Sequence, residues 1–181
     1  MNTSVPESGS RGTQEAGGFH GIHRIKNTIP HRVPILLVDR VGEVVPGERM
    51  TTYKAISGNE PCYAELGQDA APADYAYPTA FVIESWAQSA VLLSTWEQPN
   101  PDVLAGKVEL AGAINDVAFE GHAYPGEVLE HSVRLLKQAG DTAILAGETR
   151  AGGRRLLSVG AFVVALKNAI DLLPASAGLP V

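Results

Sequence analysis

The stretch Pro78 to Leu93, PTAFVIESWAQSAVLL, places one carboxylate, Glu84, among residues that are apolar on nearly every face of a helix. An unpartnered carboxylate in apolar surroundings is costly or takes up a proton instead. A chain that keeps one needs it for a local pairing or for chemistry. Gln88, one helical turn on and on the same face, is the candidate for the pairing. The chemistry would be proton transfer, because a carboxyl moved toward neutrality by an apolar setting can act as a general acid.

Few other residues compete for a chemical role. Cys62 is the single cysteine, which excludes an internal disulfide framework and a Cys-rich zinc site and leaves weak grounds for a nucleophile. The five histidines are His20, His23, His31, His122 and His131. A lone histidine on a strand is usually a satisfied polar group. Glu65 and Asp69 could serve as bases, but in a loop rich in Ala, Pro and Asp such acids are ordinarily solvated. Neither G-x-G-x-x-G nor G-x-x-x-x-G-K-[ST] occurs, so no phosphate loop is encoded. No cofactor and no metal site are expected.

The elements that must position Glu84 follow from the pattern. Ile35 to Val44 and Arg49 to Ser57 read as two neighbouring strands, broken by Pro46-Gly47 and Gly58-Asn59. The loop CYAELGQDAAPADYAYP leads to a helix that begins near Pro78, a residue suited to a first turn, and ends by Gln98, ahead of Pro99 and Pro101. Four strand-like runs follow, KVELAGAINDVAF, VLEHSVRLLKQ, TAILAGETR and RLLSVGAFVVAL, separated by turns at Pro125-Gly126, Gly140-Asp141 and Gly152-Gly153. Phe81, Val82, Ile83, Trp86, Ala87, Ala90, Val91 and Leu93 cover too much of the helix for one face to stay wet. An antiparallel sheet curled around the helix supplies the cover, with the second face of the sheet or a dimer mate finishing the burial. The fold class is therefore α+β.

Composition bounds the partners. With 181 residues and 45% hydrophobic content the chain is expected to form one domain. A net charge of -6, from 14 Lys+Arg and 20 Asp+Glu without a basic cluster, argues against nucleic acid and anionic membrane. No run reaches the ~20 apolar residues of a membrane span, and the start has neither a basic nor an apolar leader region. A soluble, cytoplasmic protein is expected. Residues 1–19 read as a disordered tail, 20–173 as the domain and 174–181 as a C-terminal tail.

Five ordered blocks carry a family resemblance: IPHRVPILLVDRV (Ile29 to Val41), NEP (Asn59 to Pro61), FVIESWAQSA (Phe81 to Ala90), INDVAF (Ile114 to Phe119) and YPGEVLEHSVRLLK (Tyr124 to Lys137). From about Ile25 to Leu166 the chain resembles the bacterial (3R)-hydroxyacyl-acyl-carrier-protein dehydratases. The resemblance implies the hot-dog fold, a curved antiparallel sheet wrapped around one long central helix. It also implies dimers whose sites combine a His of one protomer with a helix carboxylate of the other. In that family the His takes the proton beside the thioester carbonyl and the carboxylate protonates or positions the leaving hydroxyl. Glu84 matches the carboxylate. The G-H-F-P that carries the His after N-E-P has no counterpart, since Cys62 to Pro78 contains no histidine.

The resemblance therefore implies a subunit of a 3-hydroxyacyl-thioester dehydratase (a lyase of fatty-acyl or polyketide assembly). This chain would be the His-less half of a heterodimer that donates Glu84. The alternatives are a homodimer with altered chemistry, a thioesterase or double-bond isomerase, and a non-catalytic acyl-thioester binding or scaffold protein. The expected substrate is an acyl thioester on a carrier protein or coenzyme A. Gln88, Tyr63, Tyr75, Pro78, Thr79 and His122 are the expected substrate-binding residues, the N-terminal amides of the helix being placed to meet a thioester oxyanion. His122 takes the place of a family Pro and is the histidine to watch as a relocated base. His31 falls in the P-H-R block, where the family residue is structural. Glu120 and Gly121 stand where many relatives have basic residues that meet the carrier.

Overall fold

The computed structural model describes residues 18–102 and 106–172; the expected tails lie outside the described residues, apart from Gly18 and Phe19. A short helix α1 (Ile22–Lys26) precedes strands β1 (Arg40–Val45) and β2 (Arg49–Ala55). Two single turns of 3-10 helix, Pro61–Tyr63 and Pro72–Tyr75, lead to the long helix α2 (Thr79–Thr95). Strands β3 (Lys107–Phe119), β4 (Val128–Ala139), β5 (Thr142–Ala151) and β6 (Arg154–Asn168) follow, then one turn of helix, α3 (Ala169–Leu172).

All neighbours in the sheet are antiparallel, in the order β1-β2-β4-β5-β6-β3. After β2 the chain crosses the concave face as α2 and re-enters at the opposite edge as β3, so α2 lies against β2, β4, β5 and β6. The β5–β6 turn needs two residues at positive φ, and Gly152 (φ 54) and Gly153 (φ 80) provide them. The α+β class and the sheet wrapped around one helix are as the pattern predicted. No helix among the described residues is long and apolar enough to cross a membrane.

Alternation in the strands turns one face of the sheet to the helix. In β4, Leu129, His131 and Val133 are buried while Val128, Glu130 and Arg134 are exposed. Trp86 is fully buried, meets Phe162 edge-on at 5.9 Å, and donates its indole N–H to the Ser132 carbonyl at 3.2 Å. This close approach requires Gly147, where a Cβ would collide with the Ser132 carbonyl and lie 3.1 Å from the indole nitrogen. Truncating a side chain like Trp86 to Ala costs about 3–5 kcal/mol. The small polar residues of α2 are also satisfied: Ser89 Oγ and Thr52 Oγ1 are 2.6 Å apart, and Ser89 Oγ reaches the Ser85 carbonyl at 2.8 Å.

The expected strand over Ile35 to Val44 is corrected. Only Arg40–Val45 is strand; Val33 to Ile35 form a turn, and Leu36 to Asp39 are irregular. The reason lies in the hydrogen bonds. The amides of Ile35 and Leu36 donate to the Arg32 carbonyl, while the Ile35 carbonyl and the Leu37 amide are taken by the side chain of Gln88. A β-rich sequence forms no ladder when a helix side chain occupies its backbone. Phe19, placed by sequence at the end of the tail, packs instead against Tyr53 at 6.0 Å, with the Arg40 guanidinium 4.2 Å over its ring.

Candidate active site

On α2, Glu84, Ala87, Gln88 and Val91 recur at the three- and four-residue spacing that puts them on one stripe of the helix. This stripe faces a pocket of about 290 Å³ whose other walls are Pro30, His31, Val108, Glu109, Ala111 and Phe162. Glu84 is not the deeply buried acid that the apolar helix suggested. Its side chain is 37% exposed in the single chain, because the stripe lies on the least covered side of α2.

Gln88 sets the direction of the acid. Its amide nitrogen donates to Glu84 Oε1 at 2.8 Å and to the Ile35 carbonyl at 2.7 Å, and its oxygen accepts from the Leu37 amide at 2.9 Å. Gln88 is 1% exposed, so both amide hydrogens are committed in a place closed to water. The residue expected to bind substrate thus ties the 35–37 segment to α2 and holds Glu84.

That tie brings in a residue that sequence reasoning set aside. His31 Nε2 lies 3.8 Å from Glu84 Oε1, and His31 Nδ1 is buried with no hydrogen-bond partner. Burial pulls the imidazole pKa below its ordinary value; the Glu84 charge opposes this and Arg32 reinforces it. At neutral pH the ring is a neutral acceptor, the form that can take a proton. Glu109 was also missed. It projects from β3 into the same pocket, Oε1 is buried without a partner, and burial raises its pKa above the usual carboxylate range. Its signal was hidden, because in K-V-E-L it sits in phase with the alternation and reads as an ordinary solvent-facing residue.

Curated relatives match this chain over most of their length. A 3-hydroxyacyl-(acyl-carrier-protein) dehydratase FabZ of Clostridium kluyveri is 34% identical over 136 residues, covering 75% of this chain and 88% of that protein. The corresponding dehydratase of an Anaeromyxobacter species is 34% identical over 130 residues, 72% and 80% of the two chains. The chain belongs to the 3-hydroxyacyl-acyl-carrier-protein dehydratase family. No protein-family model matches it. Among solved structures, a dehydratase heterocomplex from Xenorhabdus doucetiae superposes with a TM-score of 0.66 at 20% identity, covering 82% of this chain and 93% of that one. The protein TT0310 of Thermus thermophilus superposes at 0.52 with 14% identity, covering 75% and 99%. These likenesses place the chain in the hot-dog fold.

Within the dehydratase frame the remaining expected site residues stand away from the Glu84 pocket. Tyr63, Tyr75, Pro78, Thr79 and His122, the other residues expected to bind substrate, are not among the residues that line it in the single chain. Tyr63 is a core residue, 7% exposed, 5.7 Å from the Tyr75 ring, and desolvation pushes its pKa up to about 12. Thr79 is exposed at the start of α2 and Pro78 caps that helix. His122 is exposed, and its carbonyl accepts from Arg154 at 3.3 Å. Glu120 is paired with Arg155 at 2.7 Å. Among the described residues no three His, Cys, Asp or Glu side chains gather as a metal site.

Proposed function

We propose that this chain is the His-less subunit of a heterodimeric 3-hydroxyacyl-thioester dehydratase, working on carrier-bound chains of fatty-acyl or polyketide assembly. The observation that carries the reading is Glu84, held by Gln88 on the open side of α2, in a dehydratase-family chain with no histidine between Cys62 and Pro78. The long edge strand β3, with Leu110 and Ile114 each 39% exposed, supports a mate at this side. The hot-dog neighbour from Xenorhabdus doucetiae is itself a dehydratase heterocomplex.

In the reaction, the partner's imidazole removes a proton from the carbon beside the thioester carbonyl. Charge passes to the carbonyl oxygen, where backbone amides can meet it. The C–O bond at the β-carbon then breaks as the Glu84 carboxyl gives its proton to the departing hydroxyl, releasing water and an enoyl thioester. Glu84 must be oriented before the step, and the bond from Gln88 does this.

A second reading has its own observation. His31 and Glu84 form a His–carboxylate pair within one chain, which fits a homodimer that runs dehydration, hydrolysis or isomerisation with His31 as the base. Turnover of a 3-hydroxyacyl pantetheine thioester separates the readings. Activity that appears only after co-expression with a relative bearing G-H-F-P supports the heterodimer. An active homodimer supports the His31 site and overturns the heterodimer. A stable protein inactive in both settings leaves the binding or scaffold role.

A further inference from the structure

The stripe that carries Glu84 continues down α2 as Ser94 and Thr95, which with Gln98, just beyond the helix, line a second pocket of about 340 Å³. Glu109 lines both pockets and is the one residue their walls share. As the shared wall it lies where the Glu84 to Val91 part of the stripe gives way to Leu93 and Ser94, and Val91 to Ser94 are ~10–15 Å beyond Glu84 at ~1.5 Å per helical residue. The second pocket is mixed, with Ser94, Thr95, Gln98 and Asn100 on polar walls and Leu135 and Leu166 on apolar ones. Two polar atoms in these walls are buried without a partner, Glu109 Oε1 and Asn100 Nδ2. Asn100 is fixed there by its own backbone amide, which donates to the Thr28 carbonyl at 3.0 Å. Lys107, which lines the same pocket, is bound to Asp141 at 2.5 Å, and no ion pair to Glu109 is formed among the described residues.

A groove built only for a hydrocarbon tail would not hold an orphan carboxyl oxygen and an orphan amide, since each costs free energy while unpaired. We propose that the two pockets are one acyl groove and that Glu109, with Asn100, selects thioesters whose acyl chain carries an oxygen substituent, a hydroxyl or carbonyl, at the depth of Val91 to Ser94. The inference rests on the thioester reading above. With the β-carbon at Glu84 and the thioester toward the start of α2, the rest of the chain runs toward Thr95 and passes Glu109. The unpartnered Glu109 oxygen can accept from a substrate hydroxyl and the unpartnered Asn100 amide can donate to a hydroxyl or carbonyl oxygen, while burial raises the Glu109 carboxyl above the usual carboxylate range and so disfavours its charged form.

The test is equilibrium binding to the full-length protein, co-purified with a His-bearing relative where it needs one. The ligands are pantetheine amides of octanoic, decanoic and dodecanoic acids and of their ω-hydroxy counterparts, which are neither dehydrated nor readily hydrolysed. At the chain length that reaches Glu109, the hydroxylated ligand is expected to bind about tenfold tighter than the plain one. Glu109→Leu should erase this preference without lowering the melting temperature, and Glu109→Gln should keep most of it. Equal binding at every length, tighter binding of the plain chains, or a preference that survives Glu109→Leu would overturn the inference and leave the thioester reading standing. Equal weakening of plain and hydroxylated ligands by Glu109→Leu would assign the pocket to the pantetheine arm and also overturn it. A folded protein that binds none of the ligands would sink both this inference and the thioester reading.

Discussion

Gln88 donates to Glu84 across one turn of α2 at 2.8 Å, and the same amide nitrogen donates to the Ile35 carbonyl at 2.7 Å. One side chain therefore orients the acid and anchors the segment that delivers His31 to it. Site geometry and local folding are coupled through this residue.

Glu84→Gln keeps size and hydrogen-bonding capacity and removes the transferable proton. In the active dimer it should lower turnover of a 3-hydroxyacyl thioester by about 10² to 10⁴, the range for a positioned acid or base. The melting temperature should stay within a few degrees. Full activity at unchanged stability would remove Glu84 from the reaction.

Gln88→Ala strips the partners from the Leu37 amide, the Ile35 carbonyl and Glu84. With Leu37 itself buried, the loss should be about 2–4 kcal/mol in denaturant unfolding. Activity should fall as well, because neither Glu84 nor the 35–37 segment is held. A variant as stable and as active as the parent would show that the bridge is incidental.

His122→Ala should leave the rate within a few-fold, since the side chain is exposed and outside the Glu84 pocket. His31→Ala is the contrasting variant. A loss near 10² in an isolated homodimer, with His122→Ala neutral, would identify His31 as its base. The reverse pattern would restore His122 as the relocated base.

His131 is fully buried; its Nδ1 lies 2.8 Å from Thr149 Oγ1, its Nε2 has no partner, and burial drives its pKa down to about 3. The unfolded chain binds the proton near pH 6.5 and the folded one does not. Stability is therefore full above pH 6.5 and falls below it, by up to about 1.4 kcal/mol per pH unit, until pH approaches the folded value. Unfolding followed from pH 7 to 4 should show this slope, and a His131→Gln variant should show a shallower one. Equal slopes would mean that the carboxylates alone set the acid sensitivity.

How much of this was legible in the sequence varies with the kind of interaction. Strand β3 was read at its true bounds, Lys107 to Phe119, and the turns at Gly140 and Gly152-Gly153 were placed, because alternation and turn chemistry are local properties of the chain. The need to wrap α2 was equally plain, since apolar residues on most of a helix's circumference must be covered whatever does the covering. The carboxylate at Glu84 and its partner at Gln88 were readable for the same reason, one helical turn being a fixed distance.

What the tertiary structure decided were contacts between residues far apart in the chain. Ile35 to Asp39 look like strand, and they are not, because a side chain 51 residues on from Leu37 takes the backbone bonds a ladder would use. His31 reaches Glu84 through that same tie, and Glu109 reaches the pocket because β3 crosses to the far edge of the sheet. Periodicity assigns a residue to a face of its own element. Which element that face meets is settled by the packing of all the elements together, and in this protein that packing gathers His31, Glu84 and Glu109 around one pocket.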